Sequence, residues 1–328
     1  MSLKRFARIG FLLSGGAALG AYQAGASAAL EARGVEPDWI AGTEIGAINA
    51  AIIAGSPPQE RTLRLRRFWQ DLSALVAHRP RRWARRAFGR LLPRSPSEEA
   101  LLLEGELRAL IAGAVDFERV NSGGVRLVLG ALNLGTGGEA YFDNDRHVLG
   151  PDHVLASRPL PGLSPVTIDR QFYGGGVIPV GALLEAPPAD TLLFVIDGYD
   201  PVPEKAQAMT RAAREIEGLK RNHDLRRMIA LLSEHVPPAA RRHRDVRRCL
   251  DAASSATITI LHFVHEESAG DLAAKMADFS EGAVLRRWQA GENDVATSFA
   301  QPLWLEPPPP LSGAVVHELR HGVLAPPR

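Results

Sequence analysis

Residues Trp39-Ile40-Ala41-Gly42-Thr43-Glu44-Ile45-Gly46-Ala47-Ile48-Asn49-Ala50 constrain the fold more than any other stretch of the chain. An apolar strand runs into Gly42, and a helix of small residues follows Gly46. A glycine two positions to either side of Glu44 lets strand and helix approach closely, which leaves the Glu44 side chain on a strained, exposed corner. The residues just upstream repeat the plan. Residues 7–13 read as a buried strand, 14–20 as a glycine-rich loop and 21–33 as a helix. Strand, loop, helix, strand, helix is the pattern of a parallel sheet covered by helices, so an α/β fold is expected.

At 328 residues, the chain is long enough for one large domain, or one domain with an appendage. Its net charge of +1 gives no case for nucleic acid. A single cysteine, Cys249, excludes an intrachain disulfide and a cysteine-rich metal site, and neither metal nor cofactor is expected. No run of 18 apolar residues occurs, so no transmembrane helix is expected. Lys4, Arg5 and Arg8 before residues 9–18 imitate a signal peptide, and Ala26-Ser27-Ala28 imitates its cleavage site. The break at Ser14-Gly15-Gly16 fits a strand-to-loop turn better. The expected location is cytoplasmic, with peripheral membrane contact as an added expectation.

Residues 58–77 read as a helix. The next segment, 78–94, has seven arginines and no acid, interleaved with Trp83, Phe88 and Leu91. Three readings stand: a solvated face with anchoring aromatics, a lid over the site, or a surface for anionic membrane reached through Arg81, Arg82, Trp83, Arg85 and Arg86. Further elements are a helix at 98–112, strands at 125–134 and 139–142 joined by a glycine hairpin, and short strands at 166–168 and 171–173. A strand at 191–196 ends in Asp197-Gly198. A helix at 206–232 is broken by Pro237-Pro238 and resumes at 241–249. A strand at 257–264, helices at 271–276 and 281–289, and a polyproline tail from Glu306 complete the chain. The expected division is an α/β core at 1–200, with a basic lid-like insertion at about 56–100, and a helical extension at 201–328 carrying one added strand and packed on the core.

Three pieces line up in order: Leu13-Ser14-Gly15-Gly16-Ala17-Ala18-Leu19-Gly20, the stretch from Ala41 to Gly55, and Ala156-Ser157, Pro161 and Ile168-Asp169 leading to Phe172-Tyr173-Gly174-Gly175-Gly176-Val177. Together they resemble the patatin-like phospholipases, over most of the chain. Asp278-Phe279-Ser280 and Arg287-Trp288-Gln289-Ala290-Gly291 are similar to a bacterial subgroup with a C-terminal extension. The resemblance implies a central, mainly parallel sheet with helices on both faces. It also implies an elbow serine that attacks an acyl ester, an aspartate base in an Asp-Gly-Gly turn, and backbone N–H groups of the glycine loop holding the oxyanion. Such donors, aimed at developing charge, are often the largest catalytic contribution.

Carried over residue by residue, the elbow serine position holds Glu44 and the aspartate position holds Gly174. Ala17 stands for the third loop glycine, and Pro179-Val180-Gly181-Ala182 replaces the family's Ser-Asn-Thr-Pro-like stretch. The oxyanion-hole positions become Gly15, Gly16, Ala17 and Ile45. No literal Gly-x-Ser-x-Gly occurs elsewhere, and loss of triad members costs serine hydrolases about 10⁴- to 10⁶-fold, so a serine lipase mechanism is not expected. Changes at four places in one site read as divergence rather than as a single knockout.

Two functions are open. In one, the Glu44 carboxylate fills the former oxyanion hole, and the chain is a silent or repurposed protein that binds an acyl chain, a lipid-like molecule or a partner. In the other, Glu44 is a nucleophile or general acid/base, for epoxide opening, cyclisation or ester hydrolysis. That chemistry needs a partner, for which Tyr173 and His147 are the leading candidates and Asp143, Asp145 and Asp169 the others. His262 and His265, spaced i, i+3 along a strand, face opposite sides and suggest no metal site. Oligomeric state is not legible.

Overall fold

The computed structural model describes residues 3–77, 96–158, 165–185, 188–198, 211–265, 272–320, 322–325 and 327. The basic segment with Arg81, Arg82, Trp83, Arg85 and Arg86 lies outside the described residues, as does Pro161. The first half of the chain contributes β1 (Arg8–Leu13), α1 (Gly20–Glu31), β2 (Trp39–Gly42), α2 (Ile45–Ala54), α3 (Arg61–Ala77), α4 (Pro96–Ala114), α5 (Phe117–Asn121), β3 (Arg126–Asn133), β4 (Glu139–Asp143), α6 (Pro151–Ala156), β5 (Val166–Ile168) and β6 (Gln171–Gly176). The second contributes α7 (Val180–Glu185), β7 (Thr191–Asp197), α8 (Arg211–Ser233), α9 (Arg244–Asp251), β8 (Ile258–Val264), α10 (Leu272–Met276), α11 (Glu281–Ala300), β9 (Ala314–Arg320) and β10 (Val323–Leu324).

The strands form one sheet in the order β10-β9-β8-β7-β1-β2-β3-β6-β5, with β4 also on β3. The six strands β9, β8, β7, β1, β2 and β3 run parallel. Strands covered on both faces must be apolar throughout, and β2, β7 and β8 are buried at every position. Alternation along each strand then divides the core in two. Phe11, Leu13, Ile40, Phe194 and Phe263 face α1, α2, α3 and α11. Leu12, Ala41, Val195 and Ile260 face α7 and α8. Helices therefore lie on both faces of a mostly parallel sheet.

One local pairing places the site. Val128 and Leu129 of β3 pair with β2 on one side and β4 on the other. Ala131 pairs with β4 and with Gly176 of β6. Hence β2 and β6 occupy the same edge of β3. Strand β2 stops at Gly42, where the chain turns into α2, and β6 takes up the edge just beyond.

The extension differs from the expected single added strand. Strands β8, β9 and β10 all continue the core sheet, and the polyproline run leads into β9 rather than forming a free tail. His317 and Glu318 interrupt the apolar run after Ala314-Val315-Val316 and mask the strand in the sequence. The structure tolerates Glu318 there because it meets His262 of β8 across the sheet, Oε2 to Nδ1 at 3.8 Å. The extension also packs on α1 through backbone contact. A side chain at Gly25 would overlap the carbonyl of Trp288, and one at Gly291 the carbonyl of Tyr22. Among the described residues no helix is long and apolar enough to cross a membrane. Residues 9–18 form β1 and the start of the glycine loop, and Ala26-Ser27-Ala28 lies inside α1.

Candidate functional site

The site is built where β1 and β2 end side by side. Thr43 N–H donates to the Leu13 carbonyl at 3.1 Å, so the elbow and the glycine loop leave the sheet together. Glu44 is the N-cap of α2 with φ 56 and ψ −123, a left-handed backbone that a non-glycine residue adopts only under constraint. The flanking glycines show why. A side chain at Gly42 would meet the Gly46 carbonyl at 2.5 Å, and one at Gly46 would overlap the Leu13 and Ser14 carbonyls. The strained corner read from the sequence is therefore present, with Glu44 upon it.

The glycine loop opposite is equally constrained. Gly16 has φ 131, and Ala17 has φ 50. A side chain at Gly15 would overlap the Glu44 carboxylate, so that carboxylate lies directly against the loop backbone. From the other side, a Cβ at Gly176 would stand 2.7 Å from Glu44 Cγ and overlap Thr43 Oγ1. Glu44 is thus held between Gly15 and Gly176 and is only partly exposed. Ile45 is buried at the start of α2, its Cγ2 2.7 Å from a Cβ placed on Gly20.

A buried polar chain fixes this frame from behind. Trp69 Nε1 donates to Asn49 Oδ1 at 3.1 Å, and Asn49 Nδ2 donates to Gln23 Oε1 at 3.1 Å. Gln23 Nε2 donates to the Ser14 carbonyl at 2.7 Å, and Ser14 Oγ donates to Asp197 Oδ1 at 2.7 Å. Asp197 Oδ2 lies 3.7 Å from His262 Nε2, and His262 Nδ1 faces Glu318, which in turn meets Arg320. Burial opposes a charge on His262, but the two carboxylates outweigh it and raise its pKa above the ordinary 6.5. His262 holds Glu318 well down, to about 2, and Arg320 assists. His265 points elsewhere and stacks on Tyr22 with ring centroids 4.6 Å apart. Among the described residues no group of three or more His, Cys, Asp or Glu side chains has metal-holding geometry.

Glu44, Gly15, Gly16, Ala17 and Ile45 therefore come together. Gly174 is buried in β6, two residues before the Gly176 that touches Glu44, and its neighbour Gly175 donates N–H to the Arg158 carbonyl at 2.7 Å. Tyr173 is buried against Phe142, centroids 5.1 Å apart, and its hydroxyl donates to Gln171 Oε1 at 3.1 Å. His147 is exposed in the turn after β4 and is held to the backbone of Asp143. Asp143 pairs with Val128, and Val128 with Ala41, so His147 lies across β3 from β2, its ring 5.9 Å from that of Phe142. Asp143 itself is bound by Arg126 at 2.5 Å, and Asp145 also faces Arg126. Asp169 occupies the β5–β6 turn with φ 48. From the sequence, Ser14, Gln23, Asn49 and Arg287 carried no individual role. Arg287 is buried and donates to the carbonyls of Ala18 at 3.3 Å, Asp278 at 2.7 Å and Lys275 at 2.9 Å.

A family model described as patatin-like phospholipase matches residues 11–193, and a second, DUF3734, described as patatin phospholipase, matches residues 207–311. No curated protein matches. Among solved structures, VipD from Legionella pneumophila is 10% identical with a TM-score of 0.35, over 87% of this chain and 67% of that one. The first model alone spans more than half of the chain and contains both the glycine loop and the elbow, and on that ground the chain belongs to the patatin-like phospholipase family.

Proposed function

We propose that this patatin-like chain does not work as a serine lipase, and that its own Glu44 carboxylate fills the place of the oxyanion. On this reading it is a repurposed protein that binds an acyl chain, a lipid-like molecule or a partner. The observation that carries the reading is the seat of the Glu44 carboxylate against Gly15, closed from the other side by Gly176. The amino end of α2 favours an anion at this point through its dipole. A carboxylate held there occupies the place where a tetrahedral intermediate would develop its charge. Gly174, at the position of the family's aspartate, brings no side chain to act as base.

The competing reading makes Glu44 a nucleophile or general acid/base for epoxide opening, cyclisation or ester hydrolysis. Its strained corner and partial exposure favour this. It needs an acid opposite. The Tyr173 hydroxyl is engaged with Gln171, and His147 lies on the far side of β3 from β2, held to the Asp143 backbone. The filled cradle is accordingly preferred.

The test incubates the protein with acyl esters, phospholipids and epoxides, beside Glu44→Gln. Neither protein is expected to turn any of them over. Turnover by the wild type that vanishes in the variant would establish the carboxylate enzyme instead. Ester hydrolysis that survives Glu44→Gln would refute both readings.

A further inference from the structure

At the end of the sheet opposite the elbow, α8 and α9 form a surface that the family's site chemistry does not use. The first half of α8 is core: Ala212, Ala213, Ile216 and Leu219 are buried against the sheet. The helix is then pinned at Asp224, whose Oδ1 accepts from Gly313 N at 2.8 Å and Ala314 N at 3.1 Å. Beyond that pin the helix changes character. Leu225, Met228, Leu231 and Leu232 are 57%, 55%, 36% and 58% exposed. At 3.6 residues per turn these four side chains spread over about 120° of the helix surface. A contiguous exposed apolar face of that width on a polar molecule marks a contact surface. Leu311 is exposed beside it, next to Pro310, whose carbonyl accepts from Arg227 at 3.2 Å.

The charge around this face is net positive. Residues 225–251 hold seven arginines against Glu234, Asp245 and Asp251. Arg241 closes the carboxyl end of α8 by donating to the Ser233 and Val236 carbonyls. Arg242, Arg244, Arg247 and Arg248 are exposed, and no carboxylate of the described residues ion-pairs with them. In α9 the partly buried residues are Val246 and Leu250, which leaves the arginines to solvent. A second copy would bring the same positive field and be repelled. An apolar face on one helix, with exposed arginines on the adjoining one, matches a surface with an apolar interior and an anionic rim.

We infer that the α8–α9 face is a docking surface for an anionic phospholipid bilayer, with Leu225, Met228 and Leu232 entering the interface and Arg244, Arg247 and Arg248 meeting the headgroups. Helix α8 runs back from the carboxyl end of β7 to the amino end of β8, where Ser254 N–H donates to the Arg226 carbonyl at 3.1 Å. Glu44 stands at the carboxyl ends of the strands. The docked chain therefore turns its elbow away from the bilayer, toward water. The inference holds whether Glu44 fills a cradle or reacts.

The experiment is co-sedimentation of the full chain with phosphatidylcholine vesicles, with and without phosphatidylglycerol, at low and raised salt. Binding is expected only with phosphatidylglycerol, and salt weakens it. Arg244→Ser/Arg247→Ser/Arg248→Ser is expected to lower the partition coefficient about 100-fold. Leu225→Ser/Met228→Ser/Leu232→Ser, with an unchanged melting curve, is expected to abolish stable binding. A variant with Arg81, Arg82, Arg85 and Arg86 changed to serine is expected to keep its dependence on both triple variants. The inference is overturned if binding ignores lipid charge, survives both triple variants, or disappears only with the 81–86 changes. It is equally overturned if the Leu/Met variant abolishes self-association in sedimentation while no vesicle binds.

Discussion

Arg287 of α11 donates from Nη1 to the carbonyl of Ala18 at 3.3 Å, joining the C-terminal extension to the glycine loop. Its other donors go to Asp278 and Lys275, so one buried guanidinium ties three segments. Arg287→Met keeps the bulk and leaves those carbonyls unpaired. The expected loss is about 3 kcal/mol in urea unfolding, with faster amide exchange at residues 14–20. Unchanged exchange in the loop would show that Arg287 braces only the extension.

Ala17 holds a left-handed backbone, φ 50, in the loop that faces Glu44. A methyl group in that region costs about 1–2 kcal/mol, and glycine escapes it at an entropic cost of about 0.4–1 kcal/mol in the unfolded chain. Ala17→Gly is therefore expected to raise stability by up to about 1 kcal/mol, measured as a shift in the unfolding midpoint. A lower midpoint would mean that the methyl group makes packing contacts worth more than the strain.

His262 makes stability depend on pH with a defined sign. Its folded pKa is raised, so the stabilising charge is fully present below 6.5 and lost as pH rises through the raised value. Glu318, lowered to about 2, adds stability above its ordinary 4.5 that is lost as pH falls through about 2. His262→Gln leaves Asp197 buried without its cation and Glu318 with Arg320 alone, at an expected cost of about 3 kcal/mol near pH 6. The gap between wild type and variant should narrow as pH rises. A gap that is flat from acid to alkaline pH would show the imidazole to be neutral throughout.

Gly25 and Gly291 bring α1 and α11 into backbone contact. Gly25→Ala and Gly291→Ala each force the helices apart, with an expected loss of about 1–3 kcal/mol. Because one separation relieves both overlaps, the double variant should lose less than the two losses added together. Strict additivity in thermal unfolding would indicate that the two sites relax separately.

The glycine spacing around Glu44 made the elbow legible, because only a strand and helix packed at backbone distance need Gly42 and Gly46 both. The loop at Gly15 and Gly16 was legible for the same reason. The wall at Gly176 was visible as a glycine run, but its contact with Glu44 was not, since it depends on β6 following β2 along the edge of β3. The Asp197–His262–Glu318 row was hidden, because parallel strands join residues 56 or more positions apart with no local signal. Strand β9 was missed on the same account: its charged residue looks misplaced until its partner on β8 is known. Tyr173 and His147 were chosen for their chemistry, and chain order does not disclose that Gln171 engages the Tyr173 hydroxyl or that His147 folds back on the Asp143 backbone.

The contact of α1 with α11 has a mechanical consequence. Two helices separated by a layer of side chains can slide, because rotamers absorb small displacements. At Gly25 and Gly291 that layer is missing, and main chain bears on main chain. Helix α1 starts where the glycine loop ends, so the loop is mounted on a joint that does not shear. Of the two walls around Glu44, the one at Gly15 is therefore braced through α1 against the extension.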